Sequence, residues 1–433
     1  MHAIHTTGSP EGRRALDRLF TRFQMADRDC RQQVAEILAA VRERGDEALV
    51  TYTRRFDAPH MEAVQLPISS VEMEEAYRLV DTAFLETLET AIDRIRTFHE
   101  REKEDSWLQT RPDGSIVGRL VRPVDSAGLY VPGGQGGSTP LVSSVLMNGI
   151  PAEIAGVQRR VMVTPPAADG SVNPHLLVAA REIGISEIYK AGSAWAIGAL
   201  AYGTESIGAV DVIVGPGNRY VAEAKRQVAG QVRIDMIAGP SEVLIIADES
   251  ADPVHVAADM LAQAEHDAEA LAVVITTDAS LPPRIVAELE SQLTELSRAE
   301  LARRALAEHG LILVAESLPE AIELANDIAA EHLELQIADP WSHLAAIRHA
   351  GAIFLGASTP EAAGDYLAGP NHVLPTMGTA RFASALGVET FLKKSSIISY
   401  TPAALAADAD HIRALARLEG LTAHAASVTR RLG

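Results

Sequence analysis

Four short stretches carry side chains with the means to do chemistry. In Gln263-Ala-Glu-His266 an amide and an imidazole lie three residues apart. On a helix that spacing puts both on one face, where they can point at a single metal ion, although a solvated polar face has the same spacing. In Glu331-His332 a carboxylate neighbours an imidazole just ahead of the expected strand 333–336, a pairing suited to general-base work. Asp365 and His372, within Asp365-Tyr-Leu-Ala-Gly-Pro-Asn-His372, add a second acid and imidazole in what reads as an irregular loop after the last strand. Glu419 and His424 lie on a terminal helical stretch, where exposed polar positions are the ordinary reading. All are nitrogen or oxygen donors of the kind that suits zinc. Cys30 is the only cysteine, so neither an intrachain disulfide nor a thiolate metal cluster can form. Spacing alone does not bring these groups together.

Two glycine-rich stretches offer backbone N–H groups. Val131-Pro-Gly-Gly-Gln-Gly-Gly-Ser138 precedes a helix beginning near Pro140, and Gly215-Pro-Gly-Asn218 follows a strand and opens a helix. Such N–H groups can face an anion at a helix N-terminus, and the second stretch sits where an α/β sheet binds ligands. A flexible loop and a tight turn are the competing readings. The strict G-x-G-x-x-G fingerprint, the Walker loop, the G-x-S-x-G elbow and the H-E-x-x-H helix are all missing.

The elements that must hold these residues follow from periodicity. The first hundred residues read as helices: Ile37, Val41, Leu49 and Tyr52 keep helical spacing, and 71–101 contains neither proline nor glycine. The stretch 111–115 (RPDGS) reads as a linker. Strands are expected at 161–163, 187–189 and 210–214, alternating with helices at 176–183, 194–202 and 220–228. The alternation restarts after Gly239-Pro240, with strands at 243–246, 272–276, 311–314, 333–336 and 352–355 and helices near 256–266, 283–296 and 318–327. The fold class is therefore α/β, with two parallel-sheet units, one inserted in the other. The expected boundaries are an N-terminal helical arm (1–24), a larger unit (25–130 and 243–386), a smaller unit (131–242) and a C-terminal tail (387–433).

Lysine and arginine number 38 against 58 acids, a formal net charge of −20 that argues against non-specific binding to nucleic acid or an anionic membrane. No apolar run approaches the roughly 20 residues that span a bilayer, and the opening residues lack a signal-peptide layout, so the expected location is the cytoplasm.

Taken in order, the motifs resemble the histidinol dehydrogenase family over nearly the whole chain. The blocks that carry the resemblance begin with Glu43-Arg-Gly-Asp-Glu-Ala48, Ser143-Ser-Val-Leu-Met-Asn148, Val214-Gly-Pro-Gly-Asn218, Ala238-Gly-Pro-Ser-Glu242 and Gln263-Ala-Glu-His266. They continue through Ala330-Glu-His-Leu-Glu334, Gly364-Asp-Tyr366, Gly369-Pro-Asn-His-Val-Leu-Pro-Thr376, Thr379-Ala-Arg-Phe382 and Glu419-Gly-Leu-Thr-Ala-His424. The resemblance implies two incomplete Rossmann-like units and oxidation of L-histidinol to L-histidine through an enclosed aldehyde, the last steps of histidine biosynthesis, with two NAD⁺ reduced in turn. It implies one zinc ion per subunit on Gln263, His266, Asp365 and His424, holding the substrate's imidazole and amine. His332 matches the residue that takes the alcohol proton and Glu331 the one that activates water. Ser241, His372 and Glu419 join His332 and the zinc ligands at substrate-contacting positions, and Tyr130 and Asn218 fall at NAD-contacting ones. Trp195 stands at a third such cofactor position, where the family usually has glutamine. The stretch 133–138 lacks the alanine and aromatic residues common after Pro-Gly-Gly, and Val212 replaces a usual lysine. The family is a homodimer whose tail reaches the partner's site, which accounts for a ligand, His424, near the end of the chain. Two other readings draw on the same residues. One is a paralogue oxidising another primary alcohol; the other is a zinc hydrolase in which Glu331 or His332 activates a metal-bound water.

Overall fold

Runs such as Glu242–Ala247 (EVLIIA) and Leu271–Thr276 (LAVVIT) carry apolar side chains without polar alternation, so as strands they need cover on both faces. A computed structural model describes residues 3–22, 28–133 and 140–433, and in it both runs are buried along their whole length. In chain order the strands are β1 (Ala3–Thr6), β2 (Trp107–Thr110), β3 (Ile116–Pro123), β4 (Ser126–Tyr130), β5 (Arg159–Thr164), β6 (Glu187–Lys190) and β7 (Val212–Val214). They continue with β8 (Arg233–Ile234), β9 (Glu242–Ala247), β10 (Leu271–Thr276), β11 (Gly310–Val314), β12 (His332–Gln336), β13 (Ala352–Leu355) and β14 (Leu392–Ser399).

Three sheets result. A five-stranded sheet runs β6-β5-β4-β7-β8 and a six-stranded one β1-β11-β10-β9-β12-β13, and every pairing in both is parallel. Numbered within each unit, both follow the doubly wound order 3-2-1-4-5, with β1 added at the edge of the larger sheet. Since β1 precedes the smaller sheet and β9 follows it, the smaller unit is inserted in the larger, as the rhythm of the sequence leads one to expect.

Helices cover both faces of each sheet. Ala15, Leu16 and Leu19 pack with Ile322, Ala325 and Ile328 on one side of the six-stranded sheet. Val256, Met260, Ile285, Leu289 and Leu306 pack on the other. Each such leucine, isoleucine, valine or methionine removed from water contributes about 1.5–3 kcal/mol.

The two sheets face each other in a defined way. The short connection 235–241 leads from the end of β8 directly to the start of β9. It therefore brings the C-terminal edge of the smaller sheet against the N-terminal edge of the larger. Polar ties hold the junction: the Gly239 N–H donates to Thr376 Oγ1 at 2.6 Å, and Asn371 Nδ2 donates to the Met147 carbonyl at 2.7 Å.

Several expected boundaries are corrected. Residues 28–99 do not belong with the larger unit. Val34, Leu38, Val41 and Leu49 are buried against Trp195, Ile197 and Val161 on one face of the five-stranded sheet. Leu88, Ile92 and Ile95 are buried against Leu129, Met147 and Leu176 on the other. Strand β4, also assigned to the larger unit, is the central strand of the smaller one. The N-terminal segment is no separate helical arm, since β1 pairs with β11 and completes the larger sheet. Residues 111–115 form a hairpin turn rather than a linker. The Arg111 N–H donates to the Ser115 carbonyl, Asp113 Oδ1 accepts from Ser115, and Gly114 takes φ +79°. The C-terminal tail starts as strand β14, antiparallel to β3, before the helices Pro402–Leu418 and Thr422–Thr429. Among the described residues no helix is long and apolar enough to cross a membrane.

Candidate active site

Helix Leu318–Ile328 ends at Ala329, a non-glycine residue in the left-handed region (φ +51°, ψ +55°) whose N–H returns to the Ala325 carbonyl at 2.8 Å. This reversal turns the chain into β12, so that Glu331 and His332 stand at the N-terminal edge of the sheet beside the start of β9. Both side chains are buried. His332 Nδ1 lies 3.0 Å from the Glu242 carbonyl oxygen, which can only accept, so Nδ1 carries the proton and Nε2 keeps its lone pair. That Nε2 is sealed from solvent and meets no protein partner. Burial pushes the imidazole from its usual 6.5 down to about 4, against the opposing charge of Asp365, so His332 is neutral near pH 7.

Glu331 Oε2 accepts from the Glu242 N–H at 2.9 Å. Burial, helped by the charges of Glu242 and Asp365, raises its carboxyl well above the usual range. The backbone of Glu242 thus fixes both members of the pair. Its own carboxylate is held by Arg22, with Nε 2.7 Å from Oε1 and a second contact at 3.1 Å.

The donor cluster adjoins this pair. Helix Pro253–Ala264 has proline at its first position and Asp252 as N-cap, accepting from the Val254 N–H. Its last turn carries Gln263, fully buried, and His266 follows in the turn beyond its end. Asp365 is not in an irregular loop: it lies on the short helix Glu361–Tyr366, one turn after Glu361. The ligand atoms of His266, Glu361 and Asp365 all lie within 4.8 Å of one another. One end of the Gln263 amide lies 3.1 Å from each oxygen of Glu361, and assigned as the nitrogen it donates to them. His372 Nε2 is a second sealed and unpartnered imidazole nitrogen, and it feels the charges of Asp365 and His266.

Carboxylates crowd this region. Glu361 is raised well above its ordinary range by burial and then by the charges of Asp365, Glu331, Glu334 and Asp259. Acids packed this closely are stabilised by a cation among them. A nitrogen-and-oxygen donor set beside excess negative charge fits zinc, with Gln263, His266 and Asp365 able to hold it from this chain. His424 and Glu419 do not join the cluster within the chain. Both are exposed on the C-terminal tail, whereas His266 leaves the cluster open on an exposed side. Ser241, half-buried, sits immediately before β9, where its carbonyl accepts from the Leu271 N–H.

The expected cofactor residues divide. Tyr130 ends β4 and is buried, its hydroxyl accepting from the Ser193 N–H at 3.1 Å; burial raises its pKa, so it stays protonated. Asn218 is exposed at the end of the β7 loop and caps helix Arg219–Val228, accepting from the N–H groups of Tyr220 and Val221. Gly215, at φ +114°, is required there because a Cβ would fall 2.1 Å from the Tyr130 carbonyl oxygen. Both residues lie at the switch point of the smaller sheet, between β4 and β7. Trp195 is corrected: its side chain is 3% exposed and stacks on Tyr52 and Phe56, and its Nε1–H is taken by Thr53. The indole belongs to the core, not to a cofactor surface. The glycine stretch 134–138 lies outside the described residues.

Asp57, close to Tyr130, has a buried oxygen with no hydrogen-bond partner, and burial raises its carboxyl from the usual 3.8 to about 6. The folded state thus holds the proton more tightly than the unfolded chain, and stability falls as pH rises through that window. Asp57→Asn should stabilise the protein at pH 7.5 by about 1–2 kcal/mol, allowing for partial exposure. The gain should vanish by about pH 4 in denaturant titrations.

Glu361, Glu242 and the buried group Asp259, Glu334 and Gln336 were not singled out as site residues by sequence reasoning. The i, i+4 spacing of Glu361 and Asp365 was the available signal, concealed by reading that stretch as a loop.

A doubly wound pair of parallel sheets, with a neutral buried base beside a metal-compatible donor cluster, defines a class: a two-unit α/β enzyme with its candidate site at the N-terminal edge of the larger sheet. Comparison with known proteins narrows this. The family model for histidinol dehydrogenase matches residues 20–432. A histidinol dehydrogenase of Desulfotalea psychrophila is 69% identical over 425 residues, covering 98% of each chain, and one of Oleidesulfovibrio alaskensis is 55% identical over 399 residues, 92% of each. The crystal structure of histidinol dehydrogenase from Elizabethkingia anophelis superposes with a TM-score of 0.92 at 38% identity, covering 100% of this chain and 98% of that one. The chain belongs to the histidinol dehydrogenase family of oxidoreductases.

Proposed function

We propose that the protein is a zinc-dependent, NAD-linked enzyme that oxidises L-histidinol to L-histidine through histidinal, acting as a cytoplasmic homodimer. The observation that carries this reading is the pair of sealed, unpartnered imidazole nitrogens, His332 Nε2 and His372 Nε2, in a carboxylate-rich pocket. A cationic substrate with an imidazole, an amine and a primary alcohol supplies what such a pocket lacks: positive charge, and a hydroxyl proton for a base to take. Gln263, His266 and Asp365 would hold zinc with His424 from the partner's tail. Bound there, zinc supplies a fixed positive charge that orients the imidazole and amine of the substrate. Tyr130 and Asn218 would contact the NAD⁺ that accepts each hydride. His372, Ser241 and the partner's Glu419 would contact substrate.

In the first step His332 Nε2 takes the alcohol proton, and the hydride leaves the alkoxide carbon with its electron pair for the nicotinamide. The aldehyde then gains water, whose proton passes to Glu331, and the hydrate loses a second hydride to give the carboxylate. Each turnover consumes one water and two NAD⁺.

The test is NADH formation by purified protein with L-histidinol and NAD⁺, before and after chelation. Two NADH per histidinol, lost on chelation and restored by zinc, is the expected result. Absence of NADH with zinc-loaded protein would overturn the reading.

A further inference from the structure

A glutamine is a weak metal ligand, and it brings a problem of its own. Its amide has two chemically opposite ends of the same shape, and only the oxygen can coordinate. In a fully buried residue such as Gln263 the two N–H groups must also find acceptors, or their desolvation goes uncompensated. One residue fixes which end is which and supplies an acceptor for the nitrogen. The carboxylate oxygens of Glu361 each lie 3.1 Å from one end of the Gln263 amide, an end that satisfies its hydrogen bonding only when assigned as the nitrogen. With Glu361 ionised, the form that a cation beside it favours, the opposite orientation would turn a carbonyl oxygen onto two carboxylate oxygens.

Glu361 is itself anchored. It is buried, with the side chain of Glu334 close to its backbone. Behind that, Gln336 Nε2 donates to Glu334 Oε2 and to Asp259 Oδ2, both at 2.8 Å. Asp259 lies one helical turn before Gln263 on helix Pro253–Ala264, so the network returns to the helix it orients. Asp365 follows Glu361 by one turn on a second helix, so one short element sets both the acidic donor and the amide.

We infer that Glu361 is a positioning residue for the proposed metal site: it holds the Gln263 amide nitrogen, so that the carbonyl oxygen is the end presented to the metal. The inference rests on the zinc reading above. Accepting an amide N–H also draws electron density toward the amide oxygen, making it a better donor, as partners behind a ligand commonly do.

The test uses the full-length protein, with zinc affinity read by competition against a chromogenic chelator and geometry read from the d–d spectrum after cobalt(II) substitution. Glu361→Ala should weaken zinc binding about 10–100-fold and alter the cobalt spectrum in the same sense as Gln263→Ala. Glu361→Asp should recover part of the affinity. The double variant Glu361→Ala/Gln263→Ala should bind zinc no more weakly than Gln263→Ala alone, because Glu361 acts through the amide. Should Glu361→Ala fail to fold, the nearly isosteric Glu361→Gln carries the test, with a smaller loss expected because one acceptor oxygen remains. Wild-type affinity and spectrum in a folded Glu361 variant would overturn the inference while leaving the zinc reading intact. A full further loss in the double variant would overturn it too, making Glu361 a ligand in its own right. Failure of the unaltered protein to bind zinc would remove both.

Discussion

Replacing His332 with asparagine should lower kcat for L-histidinol by about 10²–10⁴-fold while leaving zinc content unchanged. The asparagine amide can still donate to the Glu242 carbonyl that now lies 3.0 Å from Nδ1, so the side chain keeps its anchor and the strand its edge. What disappears is the lone pair on the far nitrogen, the one polar atom of the residue that is sealed and unpartnered. Burial makes the imidazole neutral and ready to accept at neutral pH. The imidazolium formed on proton transfer would meet Glu331 Oε2 and Glu361 Oε1, each 3.8 Å from Nδ1. Zinc retention follows because His332, though a neighbour of Glu361, is not one of the clustered donors His266, Glu361 and Asp365. Metal analysis of the purified variant, together with steady-state kinetics, checks both halves. A kcat within tenfold of the unaltered protein would remove His332 from the chemistry.

How far this site could be read in the sequence depends on which elements carry it. Parallel strands such as β9 and β10 were legible because they are buried on both faces and so read as nearly continuous apolar runs. The placement of residues 28–99 was not. Their amphipathic helices announce that one face is covered, and nothing in a 3.6-residue period says which sheet covers it. The hairpin of β2 and β3 was missed for a related reason. β2 is exposed along its length and paired only through its backbone, so its side chains carry no burial pattern.

The site shows the same division. Types and local spacing singled out Gln263, His266, Glu331 and His332. The groups that position them act through backbone atoms, as Glu242 does, or across long sequence separations, as Glu361 does on Gln263. The usual rule for open α/β sheets puts ligands at the C-terminal edge, and Tyr130 and Gly215 obey it in the smaller unit. Glu331 and His332 sit at the opposite edge of the larger sheet. Only the short 235–241 connection, which sets the two edges face to face, makes both placements compatible.

The second large effect separates the two oxidations. Glu331→Gln should slow conversion of histidinal to histidine by about 10²–10³-fold and that of histidinol to histidinal by less than about tenfold. The change is nearly isosteric, and the amide oxygen can still accept from the Glu242 N–H at the position now occupied by Oε2, 2.9 Å away. His332 therefore keeps its neighbour's shape and its own anchor, and the alcohol step retains its base. Hydration of the aldehyde needs a second proton acceptor, which an amide cannot provide. The burial and neighbouring charges that raise the Glu331 carboxyl also fix the sign of the pH dependence. As pH rises the ionised, basic form grows, so the aldehyde step of the unaltered protein should accelerate with pH and that limb should flatten in the variant. Single-turnover measurements started from histidinol and from histidinal separate the steps. With an aldehyde-trapping reagent present, the variant should yield close to one NADH per histidinol and accumulate trapped histidinal. Equal loss in both steps would assign Glu331 to holding His332 in place rather than to activating water.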